Sequence, residues 1–291
     1  MIRKVIVPAA GLGTRLLPAT KEQPKEMLPI FSANKNGAAI VKPVLQAVFE
    51  QIYDAKLREI CYVVGRGKRV IEDHFTPDRN CVKTLQDLDK SDQVFGLREF
   101  YEKLNTSTIM WVNQPEPKGF GNAVLMAQPF VQNEDCLVHA GDSLIISKKM
   151  DYLKKLISTY ERLNADAAFI VLEIDNPKQY GIVEGTEVEP GVIKVSSVVE
   201  KPEKPTTNLA IMAMYAFNPV IFEALEATKP GLRGEIQLTD AIQKLVERGL
   251  NVYGVKLDNS HFHLDIGSPE RYWQALELSY NQFCRKDKDV R

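Results

Sequence analysis

The sequence predicts an α/β chain built on a doubly wound sheet, and three observations carry that prediction. Short continuous apolar runs, such as V-I-V near the N-terminus and C-L-V-H-A from Cys136, alternate with segments of helical periodicity. After Tyr180 the texture changes to shorter alternating runs, and beyond residue 218 helical patterns return. Strands covered on both faces read as unbroken apolar runs because neither side of the pleat meets water. The expected class is a Rossmann-like, mixed sheet flanked by helices, followed by a β-rich portion and C-terminal helices.

In chain order, strands are predicted at 4–7, 60–64, 109–112, 136–140 and 167–172, with helices between them at 43–55 and 150–163. The polar stretch 76–105 reads as a helical excursion over the site rather than a separate domain. Pro190 and Gly191 make a turn between two alternating runs. Helices are expected at 219–226, 235–248 and 269–283, the last with Ser268 as N-cap and Pro269 in the first helical position.

Bulk properties exclude several classes. Thirty-seven basic and 38 acidic residues give a formal charge of −1, so no overall field draws nucleic acid or an anionic membrane. Cys61, Cys81, Cys136 and Cys284 are widely spaced and form no C-x-x-C, which reads as reduced thiols in the cytoplasm. The N-terminus begins directly on a strand without a signal segment, and no run reaches transmembrane length.

The segment from Val7 to Ile30, V-P-A-A-G-L-G-T-R-L-L-P-A-T-K-E-Q-P-K-E-M-L-P-I, is the richest in chemistry. Gly11 and Gly13 let backbone N–H groups approach an anion closely, while Arg15, Lys21 and Lys25 supply positive charge to a polyphosphate. Pro18, Pro24 and Pro29 keep one continuous helix from absorbing the loop. A dinucleotide fingerprint would need a third glycine where Leu16 stands, and no G-K-[ST] follows as a P-loop requires. A structural βα turn with surface lysines remains the plain alternative.

P-A-A-G-L-G-T-R-L-L-P-A-T-K with P-K-E-M-L-P resembles the signature of the nucleotidyltransferases that make nucleotide sugars, within them the uridylyltransferases. Q-P-E-P-K-G-F-G-N-A-V at 114–124, G-D at 141–142, Y-G-I-V at 180–183, V-E-K-P at 199–202, G-E-I-Q-L-T-D at 234–240 and D-I-G at 265–267 follow in the same order. The similarity implies one nucleotidyltransferase domain over 1–291, with a mainly nucleotide-binding half at 1–175 and a mainly sugar-phosphate-binding half at 176–291. It also implies UTP and glucose 1-phosphate as substrates, UDP-glucose and pyrophosphate as products, Mg²⁺ as cofactor, and a homo-oligomer, dimer or tetramer.

Residue by residue, the resemblance assigns the uracil to Gln114 and Gly119 with backbone from Ala10 and Gly11. It gives the sugar to Gly181 and Glu200, its phosphate to Lys201, and the metal to Asp142 and Asp265. Arg15, Lys25 and Lys201 are the catalytic cations. One departure stands out: Gly141-Asp142-Ser143 occurs where related uridylyltransferases often carry G-D-D.

Taken without the resemblance, several of these residues have plainer readings. Asp142 would serve equally as a loop or cap residue, Gln114 could satisfy a strand end, and Glu200-Lys201 reads as a surface ion pair. His261 and His263 would share a strand face, but no third Cys or His ligand lies near them in sequence and zinc is not expected. Two other functions share these motifs: a thymidylyltransferase using dTTP, and a non-catalytic subunit that senses nucleotide sugars.

Overall fold

The computed structural model describes residues 1–147, 151–231, 234–258 and 260–285. Met150, the first residue of one expected helix, and the charged tail after Arg285 lie outside the described residues. The strands are β1 (Lys4–Ala9), β2 (Pro29–Ala33), β3 (Ala39–Pro43), β4 (Glu59–Val64), β5 (Thr108–Asn113), β6 (Cys136–His139), β7 (Ser143–Ile146), β8 (Ala167–Glu173), β9 (Gly181–Glu189), β10 (Val192–Glu200), β11 (Leu209–Phe217), β12 (Val252–Lys256) and β13 (Phe262–Asp265). The helices are α1 (Val44–Asp54), α2 (Arg69–His74), α3 (Arg79–Asp87), α4 (Ser91–Asn105), α5 (Phe120–Met126), α6 (Gln128–Val131), α7 (Tyr152–Arg162), α8 (Val220–Glu226), α9 (Leu238–Glu247) and α10 (Pro269–Phe283).

Among the described residues, nine strands form one mixed sheet in the order β5-β4-β1-β6-β11-β8-β12-β10-β9. The first four are parallel to one another, and β11 runs antiparallel to both β6 and β8. Because β11 inserts between β6 and β8, the two halves expected on either side of residue 175 interleave within one sheet. Side chains alternate across it: Val5, Val7 and Ala9 enter one core while Ile6 enters the other. One core is roofed by α1, α4 and α7, the other by α5, α8 and α9, which is the doubly wound arrangement.

The excursion at 76–105 differs from its expected place. Phe100 and Leu104 of α4 are buried in the core under α1, with the Phe100 ring edge-on to Phe49 and Phe75 at 5.9 and 5.7 Å. Its apolar stripe docks on the sheet, and no residue of 69–105 lines the main cavity. Sequence polarity suggested a segment poised above the site, whereas three spaced apolar side chains were enough to pin α4 to the scaffold.

Two small sheets complete the frame, a hairpin of β2 and β3 and an antiparallel pair of β7 and β13. Ser268 caps α10 as expected, accepting a hydrogen bond from the Arg271 N–H at 3.3 Å, with Pro269 next. Among the described residues no helix is long and apolar enough to cross a membrane.

Candidate active site

A cavity of about 770 Å³ opens at the carboxyl ends of β1 and β6. Twelve of the thirteen residues expected at the site line it: Ala10, Gly11, Gly13, Arg15, Lys25, Gln114, Gly119, Asp142, Gly181, Glu200, Lys201 and Asp265. The third cation expected of the glycine loop, Lys21, does not. Its exposed ammonium lies 3.6 Å from Glu22, and the chain has turned away from the cavity by that point.

The loop after β1 is shaped by local contacts. Gly13 adopts φ 66°, a left-handed conformation, and its carbonyl accepts hydrogen bonds from the Leu16 N–H at 2.9 Å and the Thr20 hydroxyl at 2.8 Å. Leu16 is buried, which ties the turn to the core and leaves Arg15 exposed at the rim. Further on, a single 3₁₀ turn at Lys25–Met27 is closed by the Met27 N–H donating to Pro24 O at 2.9 Å. Met27 and Leu28 plug into the core and thereby fix the direction of Lys25.

Lys25 donates to Oδ2 of Asp142. Burial alone would lower the Lys25 ammonium, but Asp142, Glu26 and Asp265 outweigh it and hold the group above its ordinary value. Burial pushes the Asp142 carboxyl up, and Lys25 reverses that to hold it below its usual range. The pair is therefore charged on both sides.

Asp265 reaches the same place by strand pairing. In the β7–β13 pair it stands opposite Ser143, and the Ile266 N–H donates to Asp142 O at 3.1 Å. Its carboxylate accepts a hydrogen bond from Arg271 Nη1, while Nη2 of the same guanidinium donates to Gln179 Oε1 at 2.9 Å. Ser143 Oγ and His263 Nε2 line this corner as atoms shut off from solvent without a hydrogen-bond partner. No group of three or more His, Cys, Asp or Glu that could hold a metal exists among the described residues. An all-oxygen pair of aspartates beside unsatisfied polar atoms fits a hard divalent cation that takes its remaining ligands from phosphate and water.

Gln114 is buried, and its amide nitrogen donates to Asn122 Oδ1 at 2.8 Å and to Gly119 O at 3.2 Å. Both donor hydrogens are thus engaged within the chain, so the donor-and-acceptor edge expected from the sequence is presented only in part. Gly119 and Gly121 also have a second reason to be glycine. A Cβ at Gly119, φ 99°, would stand 2.7 Å from Glu235 Cβ, and one at Gly121 would stand 2.7 Å from Ile236 O. The start of α5 is laced to residues 235–238 by Gly121 N–H donating to Ile236 O at 2.9 Å.

Across the cavity, Gly181 and Glu200 are register partners at the ends of β9 and β10. Thr239 donates to Glu200 Oε2 at 2.7 Å, and Lys201 Nζ lies 2.5 Å from Glu200 Oε1. Lys201 adopts φ 42°, a left-handed conformation that ends the strand and turns this residue towards its neighbour.

Residues 4–282 match the family model described as Nucleotidyl transferase. The chain belongs to the nucleotidyl transferase family. It is 40% identical over 293 residues to a UTP–glucose-1-phosphate uridylyltransferase of Bacillus subtilis, spanning 100% of this chain and 94% of that one. A crystal structure of UDP-glucose pyrophosphorylase complexed with UDP-glucose superposes with a TM-score of 0.82 at 33% identity, covering 97% and 99% of the two chains. A UTP-bound UGPase from Acinetobacter baumannii gives 0.83 at 30% identity, covering 99% and 95%.

In this nucleotidyl transferase, sequence reasoning missed Arg271, Thr239, Asn122 and Glu26, all within one contact of an expected residue. Thr239 lies inside G-E-I-Q-L-T-D and could have been read from that run. Arg271 had no signal, because only the N-cap at Ser268 and the turn of α10 aim it at Asp265.

Proposed function

We propose that the chain transfers a uridylyl group from UTP to glucose 1-phosphate, releasing pyrophosphate and forming UDP-glucose. The observation that carries this reading is that one cavity unites the glycine loop and Lys25 with the Glu200-Lys201 corner and both aspartates. A site of that size holds a nucleoside triphosphate alongside a sugar phosphate. The retained cations and carboxylates argue for a catalyst over a sensing subunit.

Gln114, Gly119, Ala10 and Gly11 take the base, with Gln114 Oε1 as the acceptor, since its nitrogen is engaged by Asn122 and Gly119. Gly13 and Arg15 take the triphosphate. Glu200, held by Thr239, accepts from a sugar hydroxyl, Gly181 offers its backbone, and Lys201 faces the sugar phosphate. That phosphate is already an anionic nucleophile, so the protein's task is to align it and offset charge rather than remove a proton. In-line attack forms the new O–P bond as the bond to pyrophosphate breaks. Lys25 and Arg15 stabilise the charge that accumulates on the α- and β-phosphate oxygens.

Asp142 and Asp265 are the residues to hold Mg²⁺, which supplies charge neutralisation at the phosphates when bound. Reduced, unpaired cysteines accord with the cytoplasm as the place of action, and a homo-oligomer is the expected assembly.

The test is pyrophosphate release from UTP, dTTP and two purine triphosphates against a panel of sugar 1-phosphates. UTP with glucose 1-phosphate is expected to give the highest kcat/KM. A higher value with dTTP, or no release from UTP, would overturn the reading.

A further inference from the structure

A row of alternating charge, Lys68, Glu26, Lys25 and Asp142, leads into the cavity: the last three line it and Lys68 does not. Lys68 Nζ lies 2.8 Å from Glu26 Oε2, and the two residues are only 8% and 1% exposed. Both ends of this contact are fixed by backbone. Lys68 O accepts from the Ile71 N–H at 2.9 Å at the start of α2, and Glu26 belongs to the 3₁₀ turn anchored by Met27. The adjacent Lys25 ammonium donates to Asp142 and also lies within the field of Glu26.

Three carboxylates thus act on Lys25: Asp142, which it contacts at the phosphate-facing corner, with Glu26 and Asp265 adding to the field around it. A buried carboxylate stripped of its partner takes the nearest available cation, because an unpaired charge out of water is costly. Burial pushes the Glu26 carboxyl up, and Lys68 is the foremost influence favouring its charged form. Lys68 does not line the cavity, and its ammonium reaches the site's charges by way of Glu26.

We propose that Lys68 is a positioning residue for the transfer reaction: by occupying Glu26 it keeps that carboxylate from capturing Lys25, which stays directed at Asp142 and the triphosphate. A pair that only stabilised the fold would give a different pattern on mutation. Its loss would lower Tm while leaving the kcat of the folded enzyme intact. The positioning role makes Glu26 harmful once Lys68 is gone, so removing the Glu26 charge as well should restore function.

The experiment compares wild type, K68M, the double variant E26Q/K68M and K25A for kcat, KM of both substrates, and Tm. K68M is expected to lose about tenfold or more in kcat, with the KM of glucose 1-phosphate held within about twofold. E26Q/K68M is expected to regain most of the lost kcat. If K68M does not fold, Lys68→Gln, similar in length and polar, replaces it under the same criteria. A K68M kcat within about twofold of wild type, or a double variant no faster than K68M, overturns the proposal.

The inference rests on the uridylyltransferase reading. Wild type inactive on UTP, or K25A at full speed, would sink that reading with it. An active wild type, a crippled K25A and an unimpaired K68M would overturn the role of Lys68 alone.

Discussion

Asp265 stands opposite Ser143 across the antiparallel β7–β13 pair, and the Ile266 N–H fastens this strand to the Asp142 carbonyl at 3.1 Å. Two carboxylates from distant parts of the chain thereby meet at one corner of the cavity. Each already faces a cation, Lys25 for Asp142 and Arg271 for Asp265, so the corner is polar and electrically balanced before any ligand arrives.

Asp142→Asn and Asp265→Asn are each expected to cut kcat by about a hundredfold or more, the scale seen when a preorganised charge is removed from a phosphoryl or acyl transfer site. Initial rates across a Mg²⁺ titration check this. A variant with the wild-type metal response would remove that aspartate from the site.

Thr239→Val keeps the shape of the side chain and deletes the hydroxyl that donates to Glu200 at 2.7 Å. Losing a hydrogen bond to a charged group should raise the KM of glucose 1-phosphate by roughly tenfold. The KM of UTP should stay unchanged, and parallel saturation curves for the two substrates would show the split.

Gly121→Ala places a methyl 2.7 Å from Ile236 O and 3.0 Å from Leu238 N, both backbone atoms with little freedom to retreat. Overpacking of this kind costs about 1–3 kcal/mol. Urea denaturation should therefore show an earlier midpoint with an unchanged slope, and a midpoint equal to wild type would contradict the packing role.

Thiol reactivity should divide the cysteines. Cys81 is exposed, whereas burial pushes the Cys61 thiol up to about 12 and raises Cys136 as well. Under native conditions at pH 8, Cys81 should react promptly with an aromatic disulfide reagent. Cys61 and Cys136 should react only after denaturant is added, as mass mapping of the labelled peptides would show.

Acid should weaken the fold in part through His139. Burial is the main reason its imidazole is driven down to about 4, against the Ala140 carbonyl and Asp142, which favour the charged form. The unfolded chain binds that proton near pH 6.5, so the contribution is complete above that value and is lost as the pH falls from 6.5 towards 4. The loss is on the order of 3 kcal/mol. Urea midpoints at pH 7.5 and 5 should converge more closely in His139→Asn than in wild type, and an equal acid loss in both would exclude the residue.

Much of the fold was legible because burial on both faces leaves a direct trace in the sequence. The apolar runs at β1, β4, β6 and β8 and the cap at Ser268 each follow from neighbours a few residues apart. Arg15 and Lys25 were legible as displayed cations from the glycine turn and the prolines around them, whereas Asp142 and Asp265 were singled out through the family resemblance; all four line the cavity. By itself, then, the sequence determined the strand and helix character of the chain and the chemical kinds gathered at its loops.

Only the tertiary structure decided which groups face one another. Lys21 turned outward, α4 docked on the sheet through Phe100, Gln114 spent its amide hydrogens on Asn122 and Gly119, and Lys68 found Glu26. Such pairings depend on strand order, register and helix placement, which arise from packing the whole core at once. A partner dozens or hundreds of residues away leaves no periodic mark on the local sequence.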